Sequence, residues 1–92
     1  MNLDLLAIDF KGTNFCSNEK CAIAKAAKRL FPNAKLISEG VTELRIINKN
    51  HKTSDYKHML YTSNEFDIDK AKAKKAKYSL EIIRTIQLIK TS

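Results

Sequence analysis

Proline and glycine are scarce, with one proline and two glycines in 92 residues. That scarcity leaves no room for long flexible linkers, and a chain of this length makes one domain, residues 1–92, able to bury a core of its own. No apolar run approaches the roughly 20 residues of a bilayer-spanning helix, so a membrane partner is not expected. The amino-terminal stretch MNLDLLAIDF carries acids where a secretion signal carries basic residues, and no small-residue cleavage site follows. The expected location is not one reached by a signal peptide. Cysteine is also rare. Cys16 and Cys21 form a lone C-x4-C, which lacks two of the four ligands of a tetrahedral zinc site. His51 and His58 stand at spacings that match no common finger, so no metal is expected. Nothing signals an oxidising compartment, which argues against a disulfide. Cys16 has a sharper reading as a thiolate nucleophile ahead of a helix. The plainer reading, a small side chain buried under a loop, is preferred.

Catalytic signatures are missing too. The chain contains neither phosphate-cradling glycine motif, no G-x-S-x-G elbow and no H-E-x-x-H. Asp67 and Asp69 are better explained as caps and dipole partners at a helix start than as an acid–base pair. His58 reads as a structural or surface histidine. Tyr56, Tyr61 and Tyr78 could stack on bases, although tyrosines at strand edges more often cover the rim of a core. No nucleophile, base and orienting group are forced together by spacing. The expectation is a protein that is not an enzyme, with no cofactor and no small-molecule substrate.

What is present is a 43% hydrophobic chain with three tyrosines and four phenylalanines, enough for a folded core. Seventeen basic residues against ten acidic ones give a net charge of +7, which attracts polyanions. An AT-rich genome also enriches lysine, isoleucine and asparagine, so part of the lysine content needs no functional reason.

One stretch organises the rest. Residues 17–31, SNEKCAIAKAAKRLF, have apolar side chains at Ile23, Ala26, Ala27, Leu30 and Phe31, the stripe of a helix buried on one side. Ser17 is a plausible N-cap, Glu19 suits the first turn, and Pro32 stops the helix. Phe15 could staple its first turn. Residues 3–10 read as a strand buried on both faces, and 34–38 as a short strand turning at Glu39 and Gly40. In 41–47, Leu44 and Ile46 share a face, and they are candidates for an open sheet surface. Residues 48–52 are a polar loop, and 57–62 a further strand. Thr62 and Glu65 stand at capping-box spacing, which predicts a second helix ending near Lys77 with Phe66, Asp69, Ala73 and Ala76 on one thin face. A helix beginning only at Asp69 is the alternative. Residues 78–90 are rich in β-branched residues and read as one long final strand, with Tyr78, Leu80, Ile82, Ile86 and Leu88 on one side. A helix over 80–89 competes with it.

The order β-α-β-β-(β)-α-β predicts an α+β fold: a two-layer sandwich, with a mostly antiparallel sheet of four to five strands and two helices on one face. It is close to a ferredoxin-like layout with an added strand. Lys25, Lys28 and Arg29 on the first helix, with Lys70, Lys72, Lys74, Lys75 and Lys77 on the second, would then merge into one basic layer. That layer could bind a partner or contact phosphates without reading sequence. It could also be a solvated face.

Two resemblances follow. Three strands leading to the lysine cluster KAKAKKAK resemble the double-stranded RNA-binding domain, without its glycine-rich lead and with a strand added at each end. That resemblance implies nucleic acid as a partner. The stretch FKGTNFCSNEKCAIAKAAKRLFP, followed by a meander, a lysine-rich helix and a terminal strand, resembles small accessory proteins of bacteriophages, crAss-like phages of Bacteroides in particular. That resemblance implies a virion or the host cytoplasm as location and capsid-type subunits of a larger protein assembly as partners. The leading expectation is a non-enzymatic module docking on such an assembly. The alternative is a sequence-nonspecific nucleic-acid-binding protein.

Overall fold

A computed structural model describes residues 1–13, 22–40 and 42–91. The described residues form six strands and two helices: β1 (Asn2–Leu6), α1 (Ala22–Leu30), β2 (Ala34–Glu39), β3 (Glu43–Asn48), β4 (Thr53–Lys57), α2 (Ser63–Lys75), β5 (Ile82–Gln87) and β6 (Ile89–Lys90), with a 3-10 turn over Ala7–Phe10 after β1. The α+β class and the expected order of elements hold. All strand pairs are antiparallel, and the strands divide between two sheets, β1-β5 and β2-β3-β4-β6.

The division has a local cause at Leu88. β5 pairs with β1 through Gln87, and the chain then steps across at the buried Leu88 so that Ile89 and Lys90 pair with Lys57 and Tyr56 of β4. The single long terminal strand expected over 78–90 is therefore two strands in two sheets. Its extended character is found, and the competing helix over 80–89 is not. Leu80 and Ile82, expected on one side with Ile86 and Leu88, are solvent-exposed, whereas Ile86 and Leu88 are buried.

Helix α1 lies against both sheets, touching β1 and β2. Its buried residues are Ala22, Ile23, Ala24, Ala26 and Ala27. Leu30, expected in the stripe, is 43% exposed. The last helical turn leads into Pro32, and the half-buried Phe31 takes the inward position, its ring 5.7 Å from that of Tyr56. Small alanines let the helix approach the strands closely, so burial on this helix rests more on shape than on side-chain bulk. The Ser17 cap, Glu19, the Phe15 staple and both cysteines fall outside the described residues.

Helix α2 starts where its local chemistry predicts. The Thr62 hydroxyl accepts from the Glu65 N–H at 3.1 Å, and the Glu65 carboxylate accepts from the Thr62 hydroxyl, also at 3.1 Å. Phe66, Asp69 and Ala73 are its buried residues, with Ala76 half-buried. The helix therefore does not wait until Asp69 to begin. It ends at Lys75 in a Schellman closure: Tyr78 N–H donates to Ala73 O, and Lys77 N–H to Lys74 O, both at 2.9 Å. Lys77 and Tyr78 hold positive φ angles of 56° and 50°. Glycine normally occupies such positions, because a Cβ makes them costly.

One core joins both sheets. Leu3, Leu5 and Ile86 from the two-stranded sheet, Leu44, Ile46 and Tyr56 from the four-stranded one, and Phe10, Ile23, Phe66 and Leu88 between them form a single buried cluster. Leu44 and Ile46 point into it, at 0% and 1% exposure, so they are not on an open sheet face. The outward side of that sheet carries Arg45 ion-paired to Asp55 at 2.7 Å. The strand expected over 57–62 lies earlier, at Thr53–Lys57. Beyond it Met59 and Leu60 are exposed and His58 and Tyr61 buried, an order with no strand alternation.

Candidate binding surface

The eight cations expected to form one basic layer divide into two groups. Four are committed to the chain itself. Lys25 Nζ donates to Lys11 O at 2.7 Å, Lys28 Nζ to Ala34 O at 2.6 Å, and Lys70 Nζ to Thr13 O at 2.7 Å. Arg29 grips the buried Asp9 with both nitrogens, at 2.6 and 2.9 Å, and also reaches Asp4 O at 3.0 Å. That hydrogen-bonded carboxylate raises the Arg29 pKa further. The face formed by Lys25, Lys28 and Arg29 is thus an internal clamp more than a free electropositive surface. Lys72, Lys74, Lys75 and Lys77 form the other group. They are exposed, and among the described residues their ammonium groups have no hydrogen bond or ion pair.

The arginines sharpen this contrast. Arg29, Arg45 and Arg84 are the only arginines in the chain, and each is ion-paired within it. Arg84 on β5 reaches α2, with Nε 2.5 Å from Asp69 Oδ2 and a terminal nitrogen 3.0 Å from Glu65 Oε2. Its guanidinium lies 5.4 Å from the centre of the Tyr61 ring. Tyr61 donates its hydroxyl to Asp69 Oδ2 at 2.5 Å. Burial first, and then that hydrogen bond to a carboxylate, push the Tyr61 pKa well above its ordinary value. Asp69 is 1% exposed and does not act as a dipole partner at the helix start. It is the buried anchor joining α2, β5 and the loop before α2. Sequence spacing could not disclose this, because Arg84 lies fifteen residues away from Asp69.

The three tyrosines offer no stacking platform. Tyr56 packs on Phe31, Tyr61 is locked to Asp69 and sits 6.3 Å edge-on to Phe66, and Tyr78 is half-buried. All three cover the core, the preferred reading of these residues. His58 is buried at 6% exposure, with Nδ1 2.8 Å from Met59 O. Its Nε2 has no hydrogen-bond partner among the described residues. No three His, Cys, Asp or Glu side chains among the described residues are grouped to hold a metal ion.

Sequence reasoning missed one surface feature. Ala7 N–H donates to Glu81 O and Ile8 N–H to Ser79 O, both at 2.8 Å, while Leu6 is in register with Ile82. These bonds hold the segment around Leu80 against the 3-10 turn and fix Ile8, Leu80 and Ile82 at one corner of the fold. Their exposures are 39%, 76% and 56%. The corner follows directly on the Lys74, Lys75 and Lys77 cluster. Alternation groups Leu80 and Ile82 with Ile86 and Leu88, and the long-range bonds to the 3-10 turn belong to a local path that leaves the first two exposed. No helix among the described residues is long and apolar enough to cross a membrane. Comparison with protein-family models, curated proteins and solved structures finds no match.

Proposed function

We propose that the chain is a non-enzymatic interaction module that docks on a larger protein assembly through the corner formed by Ile8, Leu80 and Ile82. The observation that carries this reading is the 76% exposure of Leu80 on a backbone held by main-chain hydrogen bonds to the neighbouring turn. Exposed apolar side chains on ordered backbone, beside a charged margin, have the composition of a docking patch with an apolar centre and polar rim. Lys74, Lys75 and Lys77 supply that rim. The resemblance to phage accessory proteins supports a virion as the setting and capsid-type subunits as the partner. The test is incorporation into purified particles. Leu80→Glu should abolish it while leaving the fold intact, and glutamines at Lys72, Lys74 and Lys75 should leave it nearly unchanged. Incorporation that survives Leu80→Glu overturns this reading.

A second reading is favoured by a separate observation. With every arginine occupied, the cations left to solvent are lysines, which act as point charges and lack the planar fork that reads guanine edges. Lys72, Lys74, Lys75 and Lys77 suit sequence-independent contact with nucleic-acid phosphates. Tight binding in solution that weakens steeply with salt would support this reading; salt-insensitive particle incorporation without nucleic-acid binding would remove it.

A further inference from the structure

We propose that the outer edge of β2, with the groove between that edge and α1, takes an extended acidic peptide as an added antiparallel strand. This surface is separate from the corner at Leu80 and goes beyond the docking reading above.

The argument begins with the ladder. β2 is the terminal strand of its sheet, and among the described residues no strand pairs with its outer side. Gly40 N–H donates to Glu43 O at 2.8 Å, which sets the phase of the β2–β3 ladder. In an antiparallel pair, residues alternate between bonding across and pointing away. Ser38 and Leu36 therefore bond to β3, and the N–H and C=O of Ile37 point to the outer edge. A strand laid along that edge would find a donor and an acceptor already oriented.

A groove runs beside this edge. It encloses about 280 Å³ and is lined by Ala24 and Lys28 of α1 and by Ala34, Lys35, Leu36 and Ile37 of β2. Its alanines leave room for a small β-branched side chain, and its two lysines stand at the margin. Lys28 gives one of its three ammonium donors to Ala34 O, leaving two for a carboxylate. Lys35 is exposed and makes no hydrogen bond or ion pair among the described residues. An edge lysine normally discourages pairing with another copy of the same chain. At a net charge of +7, a second copy is repelled and an acidic strand attracted. The occupant with matching chemistry is thus a peptide alternating small β-branched and acidic residues.

The test is a titration of the 15N-labelled chain, followed by amide NMR shifts. The probe is an acetylated and amidated octapeptide alternating valine and glutamate. One comparator alternates valine and lysine; another is the valine–glutamate peptide with every second amide N-methylated. The expected result is saturable shifts at Leu36, Ile37 and Ser38 with the first peptide alone, and an affinity lowered about tenfold by Lys35→Glu. N-methylation removes the strand's donors and should abolish binding without touching the protein. Equal binding of the N-methylated or lysine peptide overturns the proposal. So do shifts confined to Lys72, Lys74 and Lys75, an unchanged affinity in Lys35→Glu, or no shift at all. Dimerisation through β2 without peptide also overturns it, in favour of a second copy.

Discussion

Lys28 and Arg29 are neighbours on α1 and donate to different sheets. The Lys28 ammonium reaches Ala34 O of β2 at 2.6 Å, and the Arg29 guanidinium reaches Asp4 O of β1 at 3.0 Å. One short helix thereby satisfies a main-chain carbonyl on each of two strands that do not pair with one another. Arg29 does more, because it also neutralises Asp9, whose side chain is 4% exposed and accepts the Leu6 N–H at 2.8 Å.

Arg29→Met should therefore destabilise the fold by about 2–3 kcal/mol, since it leaves a buried carboxylate without its partner. The partial exposure of Arg29 lets water replace some of that loss, which keeps the figure below the full value for a buried pair. Lys28→Met, which removes one hydrogen bond at the surface, should cost under about 1 kcal/mol. Urea unfolding of both variants measures the difference, and equal losses would contradict it.

Exposure also orders the apolar substitutions. Leu30→Ala should cost less than about 1 kcal/mol, because Leu30 is already 43% exposed. Ile23→Ala and Leu44→Ala remove fully buried side chains, at 1% and 0% exposure, and should cost about 2–5 kcal/mol each through the cavities they leave. The same unfolding series checks all three.

Tyr61 sets an alkaline limit. Its folded pKa is raised above the ordinary 10.0, so above that pH the unfolded chain releases a proton that the folded chain retains. Its contribution to stability is complete below pH 10 and declines as pH rises beyond it, by about 1.4 kcal/mol per pH unit for one proton. Tyr61→Phe should flatten this alkaline slope. It should also cost about 1–3 kcal/mol near neutrality, because Asp69 loses a buried donor. A slope unchanged in Tyr61→Phe would assign the effect elsewhere.

Lys77→Gly should stabilise the protein by about 0.5–1 kcal/mol, since glycine adopts the positive φ of 56° without a Cβ clash. The melting temperature should rise by a few degrees. Under the nucleic-acid reading, the same change should weaken binding and reduce the slope of log affinity against log salt by about 0.9 for one lost phosphate contact. A more stable protein with weaker, less salt-dependent binding is the combined signature to look for.

Local chemistry was legible in the sequence. The Thr62–Glu65 box, the Phe66–Asp69–Ala73 face and the placing of Leu44 and Ile46 on one common face each depend on neighbours a few residues away, although which way that common face points does not. Long-range relationships were not. Asp69 is defined by Tyr61 and Arg84, the outward turn of Leu80 by main-chain bonds to residues 7 and 8, and the broken terminal strand by a step at Leu88 between two sheets. The basic layer was legible as composition but not as available charge, because hydrogen bonding to distant carbonyls and carboxylates decides which cations remain free.

The pairing of β1 with β5 joins residues 2–6 to residues 82–87. The β2-β3-β4 meander closes through short turns, so it can form early, whereas β1 waits for a partner about eighty residues away. On the ribosome, at roughly 5–20 residues per second, β1 is exposed for seconds before β5 is made. Leu3 and Leu5, fully covered in the finished fold, are bare for that interval. The small sheet thus cannot close until β5 has been made, and β1 is a segment open to mispairing for that interval.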